Sequence, residues 1–341
     1  MDHLSQLTGR PARPSKSGPR EAGYTMAELL VAVSISVIAA TMSLEALAYM
    51  SKSMGVVDRG STATDEASLL NEYLATLLMS TGGGTIRPWA AIWVEDNFNG
   101  DGTDRLTFAE LVDIDLQCSI QSVDGDLVHV DASEGCCLTD EFVNRQVIMM
   151  TGSNDSHAHW ESRIVTDVDL DRCLAFTDEG QAKVVNVSPP SDDLWADGPI
   201  AVVHVRVVWV DTSLDQLKVA EDYDLDGNVE TRILADRVVD FQAALGYDVP
   251  PWDWQITDTG DRNDEWLFNS VSDEFGKYGL EGARRTDLRL LKFGLTVGSP
   301  VKASSDIGFA QLLDGPLRTR QGWVFRSALG TTSMRNHDIM R

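Results

Sequence analysis

The chain has few residues of the kinds that form common catalytic and metal sites. Its 341 residues include 4 cysteines and 6 histidines. They contain no Cys-x-x-Cys pair, no glycine-rich phosphate loop, no Gly-x-Ser-x-Gly and no His-Glu-x-x-His. These absences argue against a structural zinc site, a nucleotide-binding loop, a serine hydrolase and a zinc protease of the usual kinds. We therefore expect no enzymatic activity and no certain cofactor.

Positive charge is also scarce. The chain has 28 Lys and Arg against 53 Asp and Glu, which gives a net charge of −25 at pH 7. An acidic surface repels nucleic acid and attracts cations or basic partners, so nucleic-acid binding is not expected. The first 23 residues are the exception, with four basic residues against two acidic ones and many Pro, Ser and Gly. This composition is typical of a disordered, positively charged leader.

One long apolar run follows the leader. Residues 29–44 contain no charged side chain, and as a helix they would cover ~24 Å, slightly less than the hydrocarbon core of a bilayer. Adding residues 24–27 makes the run long enough to span, but it places Glu28 in the apolar zone. An ionisable group is costly there, which indicates a dedicated partner for Glu28.

The helical pattern continues beyond the apolar run. Leu70, Tyr73, Leu74, Leu77 and Leu78 follow the i, i+3, i+4, i+7 spacing of an amphipathic helix. The glycines at 82–84 end this pattern, so we expect one helix within residues 24–84, membrane-spanning over about 24–46. Gly55 and Gly60 are expected weak points of the helix.

The remainder, residues 85–341, is dominated by strand patterns separated by acidic, Gly-rich turns. The clearest strands are predicted at 89–94, 105–112, 146–150, 199–210, 238–247 and 288–297. We find no internal repeat. The predicted fold class is α+β, with a long N-terminal helix packed on a β-rich globular domain.

The junction between leader and helix resembles the class III signal of type IV prepilins. It has a basic leader that ends in Gly23, an aromatic residue at Tyr24, and Glu28 at the fifth position after the junction. The resemblance implies that a prepilin peptidase cuts after Gly23 and that Tyr24 becomes the N-methylated terminus. It also implies that Glu28 pairs with the terminal amine of a neighbouring subunit during assembly. Two opposite charges in an apolar bundle relieve the desolvation of each other.

An ordinary secretory signal is the alternative. Ala46-Leu47-Ala48 fits an Ala-x-Ala cleavage site and would leave Tyr49 as the mature terminus. Two features count against this reading: Glu28 borders the apolar run, and an amphipathic helix follows the run directly.

The later half resembles the PilW/PulJ-type minor pilins. The resemblance rests on Leu234–Gln242 before Gly246-Tyr247-Asp248, on the strand Arg289–Val297, on Thr331–Asn336 and on Asp104–Phe108. It implies a pilin-like fold and a role in starting or capping a type IV pilus. The implied partners are other minor pilins, the major pilin and an adhesin-type tip protein. The body would lie in the periplasm below a single-pass inner-membrane helix and later in the pilus. The alternative in the same class is a J-type pseudopilin of type II secretion.

One acidic segment has the spacing of a calcium loop. Asp222, Asp224, Asp226, Asn228 and Glu230 alternate around Gly227 like the first half of an EF-hand. Position twelve is Ile233, so the bidentate glutamate is missing. The segment is therefore either a calcium loop or an acidic turn between two strands. A calcium site would make the chain a membrane-anchored, calcium-dependent binding module.

The four cysteines lie in the middle of the chain. Cys118, Cys136, Cys137 and Cys173 are expected to form two disulfides if this region is exported. The geometry of the bridge disfavours a bond between the neighbours Cys136 and Cys137. Each should pair with Cys118 or Cys173, in an order that the spacing leaves open.

Overall fold

The computed structural model describes residues 25–79, 92–98, 100–113, 115–150, 160–179, 195–221, 230–247, 266–267, 288–301 and 307–333. The chain divides into two compact units, residues 1–54 and 55–341. One helix, α1 (Met26–Met79), begins in the first unit and ends in the second. The rest of the described chain is rich in strands. The predicted α+β class, with a long N-terminal helix followed by a β-rich domain, is confirmed.

The strands lie in the second unit and overlap all six that the sequence predicts, although residues 89–91 of the first predicted strand lie outside the described part of the chain. In chain order they are β1 (Ile92–Phe98), β2 (Thr103–Leu111), β3 (Gln117–Asp124), β4 (Leu127–Val130), β5 (Gln146–Met150), β6 (Trp160–Asp169), β7 (Leu174–Glu179), β8 (Pro199–Asp211), β9 (Gln216–Glu221), β10 (Glu230–Asp236), β11 (Val238–Tyr247), β12 (Trp266–Leu267), β13 (Leu288–Pro300), β14 (Ile307–Ala310), β15 (Arg318–Gln321) and β16 (Trp323–Ser333). The predicted strands correspond to β1, β2, β5, β8, β11 and β13.

The second half of α1 packs on the sheets through a face that is richer in small residues than predicted. Its buried residues are Gly60, Ala63, Ala67, Leu74 and Leu78. Tyr73, predicted on the buried face, is 43% exposed. A small residue lets the helix come close: a Cβ at Gly60 would lie 2.9 Å from Nη2 of Arg326. The helix runs without a break through both Gly55 and Gly60.

A first hydrophobic core lies between α1 and two sheets. One sheet has the order β1-β2-β8-β9-β10, and the other has the order β12-β11-β13-β16. Ala67 and Leu74 of α1 share this core with Phe108 of β2, Phe241 of β11 and Phe293 of β13, which are all fully or almost fully buried. Residues 55–79 of α1 are therefore part of the globular unit, because they cover apolar surface of both sheets.

A second hydrophobic core is enclosed by strands that close into a ring. The antiparallel pairs run from β8 to β3, β4, β7, β6 and β5, and β5 pairs with β8 again. We call this ring the closed sheet. Its interior holds Phe142, Val147, Met149 and Trp195. Residues 112–198, the connection between the paired strands β2 and β8, supply every strand of the ring except β8 itself.

Strand β8 belongs to both cores because its side chains alternate. Ile200 and Val202 lie in the core of the closed sheet, whereas Val203 and Val205 lie in the core under α1. Where the closed sheet ends, the positions that follow Ile200 and Val202 at every second residue include the polar Arg206 and then Val208 and Val210, which lie in the core under α1. The period-two pattern of the sequence thus reflects two different apolar environments on the two faces of one strand.

Candidate functional site

The N-terminus of α1 is closed by a reciprocal pair of hydrogen bonds. The Thr25 backbone N–H donates to Oε2 of Glu28 over 2.9 Å, and the Thr25 hydroxyl donates to the same oxygen over 3.1 Å. The Glu28 backbone N–H in turn lies 3.3 Å from Oγ1 of Thr25. This is a capping box, in which a Thr at the cap and a Glu three residues later satisfy the free N–H groups of a helix start. Glu28 therefore has a local structural role, and the Thr-x-x-Glu spacing just before the apolar run is the sequence signal for it.

The helix beyond the cap exposes apolar side chains around its whole circumference. The large apolar residues of this stretch each expose 52–67% of their surface: Leu29, Leu30, Val31, Val33, Ile35, Val37, Ile38, Met42 and Leu44. Consecutive positions point in all directions around a helix, so no side of it is polar. By length and composition α1 is able to cross a membrane, although a signal sequence near the N-terminus has the same properties.

Several residues singled out in the sequence lie outside the described part of the chain. These are Gly23 and Tyr24 at the predicted cleavage site, and Asp222, Asp224, Asp226 and Asn228 of the predicted calcium loop. Glu230, the last residue of that loop, is described. It is exposed at the start of β10 and lies opposite Glu221 of β9.

Residues 222–229, which lie between β9 and β10 in the sequence, are outside the described part of the chain, but a group of charged side chains on the flanking strands is described. Glu221 is buried and accepts a 2.9 Å hydrogen bond from Nε of Arg206 on β8. Arg232 of β10 forms a further ion pair with Glu221. Arg206 also donates over 2.9 Å to Glu110 on β2. The paired strands β9 and β10 are thus fixed to β8 and β2 by charge pairs, and β10 itself is mostly exposed.

The four cysteines form two disulfides in the second unit. Cys118 of β3 is bonded to Cys137, with the Cα atoms 5.8 Å apart, and Cys136 is bonded to Cys173, with the Cα atoms 5.5 Å apart. The neighbours Cys136 and Cys137 are not bonded to each other, as expected. The first bridge attaches the connection between β4 and β5 to strand β3, and the second attaches it to the turn between β6 and β7. The structure resolves the pairing order that the sequence left open.

Sequence reasoning missed a buried polar group between β2 and β11. Asp104 and Asp240 have no exposed surface. The sequence singled out Asp104 as part of a strand motif and as the end of a weak acidic motif at 97–104, and Asp240 as part of a strand, but it did not indicate their burial. The alternation of β11 carried a signal, because Asp240 and Gln242 occupy one face of a strand whose ten residues are all buried. A buried carboxylate requires hydrogen-bond partners, which can be identified only once the neighbouring segments are known.

The described residues contain no group of three or more His, Cys, Asp or Glu side chains arranged to hold a metal ion. The predicted calcium loop, apart from Glu230, is not among those residues. Calcium binding at 222–230 therefore stays a prediction.

Neither a protein-family model nor a curated protein matches the chain. Among solved structures, the chain is similar to a type IV-like pilin from Thermus thermophilus. The match has 10% sequence identity, covers 57% of this chain and 87% of that one, and has a TM-score of 0.25. At that TM-score the two backbones differ too much for the likeness to carry an argument about this chain.

Proposed function

We propose that the chain is a pilin-like subunit of a membrane-anchored filament. The proposal rests on the first part of α1, whose apolar surface is exposed on all sides. One carboxylate, Glu28, precedes this surface and caps the start of the helix. Such a surface is stable in lipid, or against equally apolar helices of other subunits, and is unfavourable in water. The same helix also contributes core residues between Gly60 and Leu78, so it is part of the folded protein.

A cleavable secretory signal would not be expected to continue directly into a core helix. Removal of residues up to Ala48 would leave the mature chain beginning at Tyr49, inside α1. Removal of residues 1–23 would leave Tyr24 and Thr25 in place, and with them the capping box that closes α1. The structure of the helix start therefore supports a cut after Gly23 over a cut after Ala48.

Within this class, the chain functions as a minor pilin of the PilW/PulJ type that helps to start or cap a type IV pilus. The order of sequence motifs supports this assignment. The partners are other minor pilins, the major pilin, an adhesin-type tip protein and the prepilin peptidase. Residues 55–341 lie in the periplasm before assembly and in the filament afterwards. The alternative role is that of a J-type pseudopilin in a type II secretion system.

N-terminal sequencing of the mature protein tests the proposed function. We expect the first residue to be Tyr24 with a methylated amine, because cleavage after Gly23 retains the whole of α1. Gly23→Phe should block cleavage, since a peptidase that recognises this junction cannot place a bulky side chain there, and the protein should retain residues 1–23. Gly18→Phe, within the leader, is the matched control and should be cleaved normally. A mature terminus at Tyr49 would overturn the proposal.

Calcium binding at Asp222–Glu230 is a second proposal, and the spacing of its oxygen ligands supports it. Ion binding to the folded state should raise the melting temperature of the protein in millimolar calcium, and Asp224→Ala should abolish the rise. Asp171→Ala, in the exposed turn before β7, is a control that removes a carboxylate elsewhere. If the wild-type protein melts at the same temperature with and without calcium, the segment is an acidic turn only.

A further inference from the structure

Three segments of the second unit meet at a buried polar contact. They are the turn between β1 and β2, the strand β11, and residues 311–317 between β14 and β15. Gln242 of β11 donates through Nε2 to the carbonyl of Gly102 over 2.7 Å and to Oδ1 of Asp240 over 3.0 Å. The backbone N–H of Ala243 donates to Oδ2 of Asp104 over 2.8 Å. We call this group of residues the carboxylate junction.

Side chains hold this junction together where strand pairing does not. Strand β11 pairs with β13 along its length and with β12 only at Leu245 and Gly246. The turn and the 311–317 segment nevertheless come very close to each other and to β11. A Cβ at Gly102 would lie 2.6 Å from the ring of Pro316, and a Cβ at Gly315 would lie 2.5 Å from Nε2 of Gln242. Within the described part of the chain, few backbone hydrogen bonds would therefore oppose a separation of the three segments.

Among the residues that the structure describes, carboxylates outnumber cations at the junction. Asp104 and Asp240 are fully buried, and the charges of Asp314 and Asp96 act on Asp104. The facing cation is Arg318, which donates to Oδ1 of Asp240 over 3.2 Å. Oδ2 of Asp240 has no hydrogen-bond partner among the described residues. The remaining nearby acid, Asp101, is satisfied locally: its Oδ1 accepts from Thr103 and its Oδ2 from Thr212.

This arrangement favours the neutral form of the buried acids. Burial raises the pKa of Asp104 to about 8, and the charges of Asp314 and Asp96 act in the same direction. The backbone N–H groups of Ala243 and Asn97, which donate to Oδ2 and Oδ1 of Asp104, oppose this shift in part. Burial also raises the pKa of Asp240, although its bonds from Gln242 and Arg318 act in the opposite direction. Both shifts have the same cause, the removal of carboxylates from water without enough positive charge.

We propose that the carboxylate junction is a proton-dependent latch, which holds the β1–β2 turn and residues 311–317 on β11 when Asp104 is protonated and weakens when Asp104 is ionised. The latch does not depend on the proposed filament function. The direction of the pH dependence follows from proton linkage. In the docked state Asp104 keeps its proton up to a higher pH than in the undocked state, where Asp104 is in water. The docking is therefore strongest in acid, weakens as the pH rises towards about 8, and changes little above that value.

Hydrogen exchange of the full-length protein in detergent, corrected for the intrinsic exchange rate at each pH, tests the latch. Protection of residues 97–104 and 311–317 should fall by up to about tenfold per pH unit between about pH 5 and 8, and then level off. Asp104→Asn should remove the part of this dependence that Asp104 contributes and leave the smaller part that Asp240 contributes. The amide carries no charge, and its oxygen still accepts from the Ala243 N–H, but its NH2 group cannot accept from the Asn97 N–H as Oδ1 of Asp104 does. Asp124→Asn, on the exposed end of β3, should behave like the wild type.

Three results would overturn the latch. In the first, the protection of the two segments does not change with pH. In the second, the strands of the closed sheet lose as much protection as the two segments when the pH rises. In the third, millimolar calcium restores the protection of the two segments at pH 9. The last result would identify the junction as a cation site. If Asp104→Asn does not fold, Asp314→Asn provides the test, because removing that charge should lower the pH at which the protection levels off.

Discussion

Glu28→Ala should insert into the membrane and lose its signal sequence normally but should enter the filament poorly. In the proposed assembly, the carboxylate of Glu28 neutralises the terminal amine of a neighbouring subunit in an apolar environment. Without it that amine is buried unpaired, so incorporation should fall by about tenfold or more. The amounts of the variant in purified filaments and in the membrane fraction, compared by quantitative mass spectrometry, measure the effect.

The capping box provides a second explanation for a defect in Glu28→Ala, and Glu28→Gln separates the two. A glutamine side chain can still accept the hydrogen bonds from Thr25 and complete the box, but it carries no charge. If charge pairing is the main role of Glu28, Glu28→Gln should be as defective as Glu28→Ala. If capping is the main role, Glu28→Gln should assemble like the wild type.

Glu45→Ala is the matched control, because it removes a carboxylate from the same helix after the apolar run. It should be incorporated normally. Normal incorporation of both Glu28 variants would contradict the assembly role, even if the cleavage site proves to be Gly23. Failure of Glu28→Ala to reach the membrane would instead show that Glu28 acts during insertion.

Removal of either disulfide should strongly destabilise the closed sheet. Cys136–Cys173 closes a loop with a sequence separation of 37 and Cys118–Cys137 a loop with a separation of 19. In the chain-entropy model their loss costs about 4 and about 3 kcal/mol, because each bridge restricts the unfolded chain. The pair Cys136→Ala/Cys173→Ala should therefore unfold at lower urea than the pair Cys118→Ala/Cys137→Ala, and both at lower urea than the wild type.

Limited proteolysis should localise this loss of stability. New cleavage sites are expected within residues 112–198, whereas the core beneath α1 should stay resistant, because the two cores are distinct. Ser133→Ala, in the segment between β4 and the cysteine pair, is a control with little expected effect. Thiol titration of denatured, unreduced wild-type protein should find no free sulfhydryl. Four reactive thiols, or unchanged urea midpoints in both double variants, would contradict the stabilising role.

The elements that local patterns determine were predictable from the sequence. A run without charge predicts an apolar helix whatever surrounds it, and α1 covers the predicted range to within a few residues. Strands such as β8 and β13 were predictable because their apolar alternation is long. Strands β14 and β15 were missed because each has only four residues, with mixed polarity and exposed positions.

Contacts between distant segments were not predictable. The sequence indicated that Cys136 and Cys137 bond to Cys118 and Cys173, but the order depends on which strand each thiol faces in the closed sheet. The closed sheet itself arises because β8 pairs with both β3 and β5, segments far apart in the chain. No local pattern encodes that closure, since pairing partners are selected by the fit of whole strands.

By itself, the sequence determined the acidic charge of the chain, the apolar helix with a carboxylate at its start, and the β-rich class of residues 85–341, because each depends on composition or on the spacing of near neighbours. The tertiary structure alone decided two features: the disulfide order, and the burial of Asp104 and Asp240 at one contact. Each depends on the positions of particular atoms after folding. The bonding partner of each cysteine and the protonation of Asp104 and Asp240 are set by the segments that the fold places beside them.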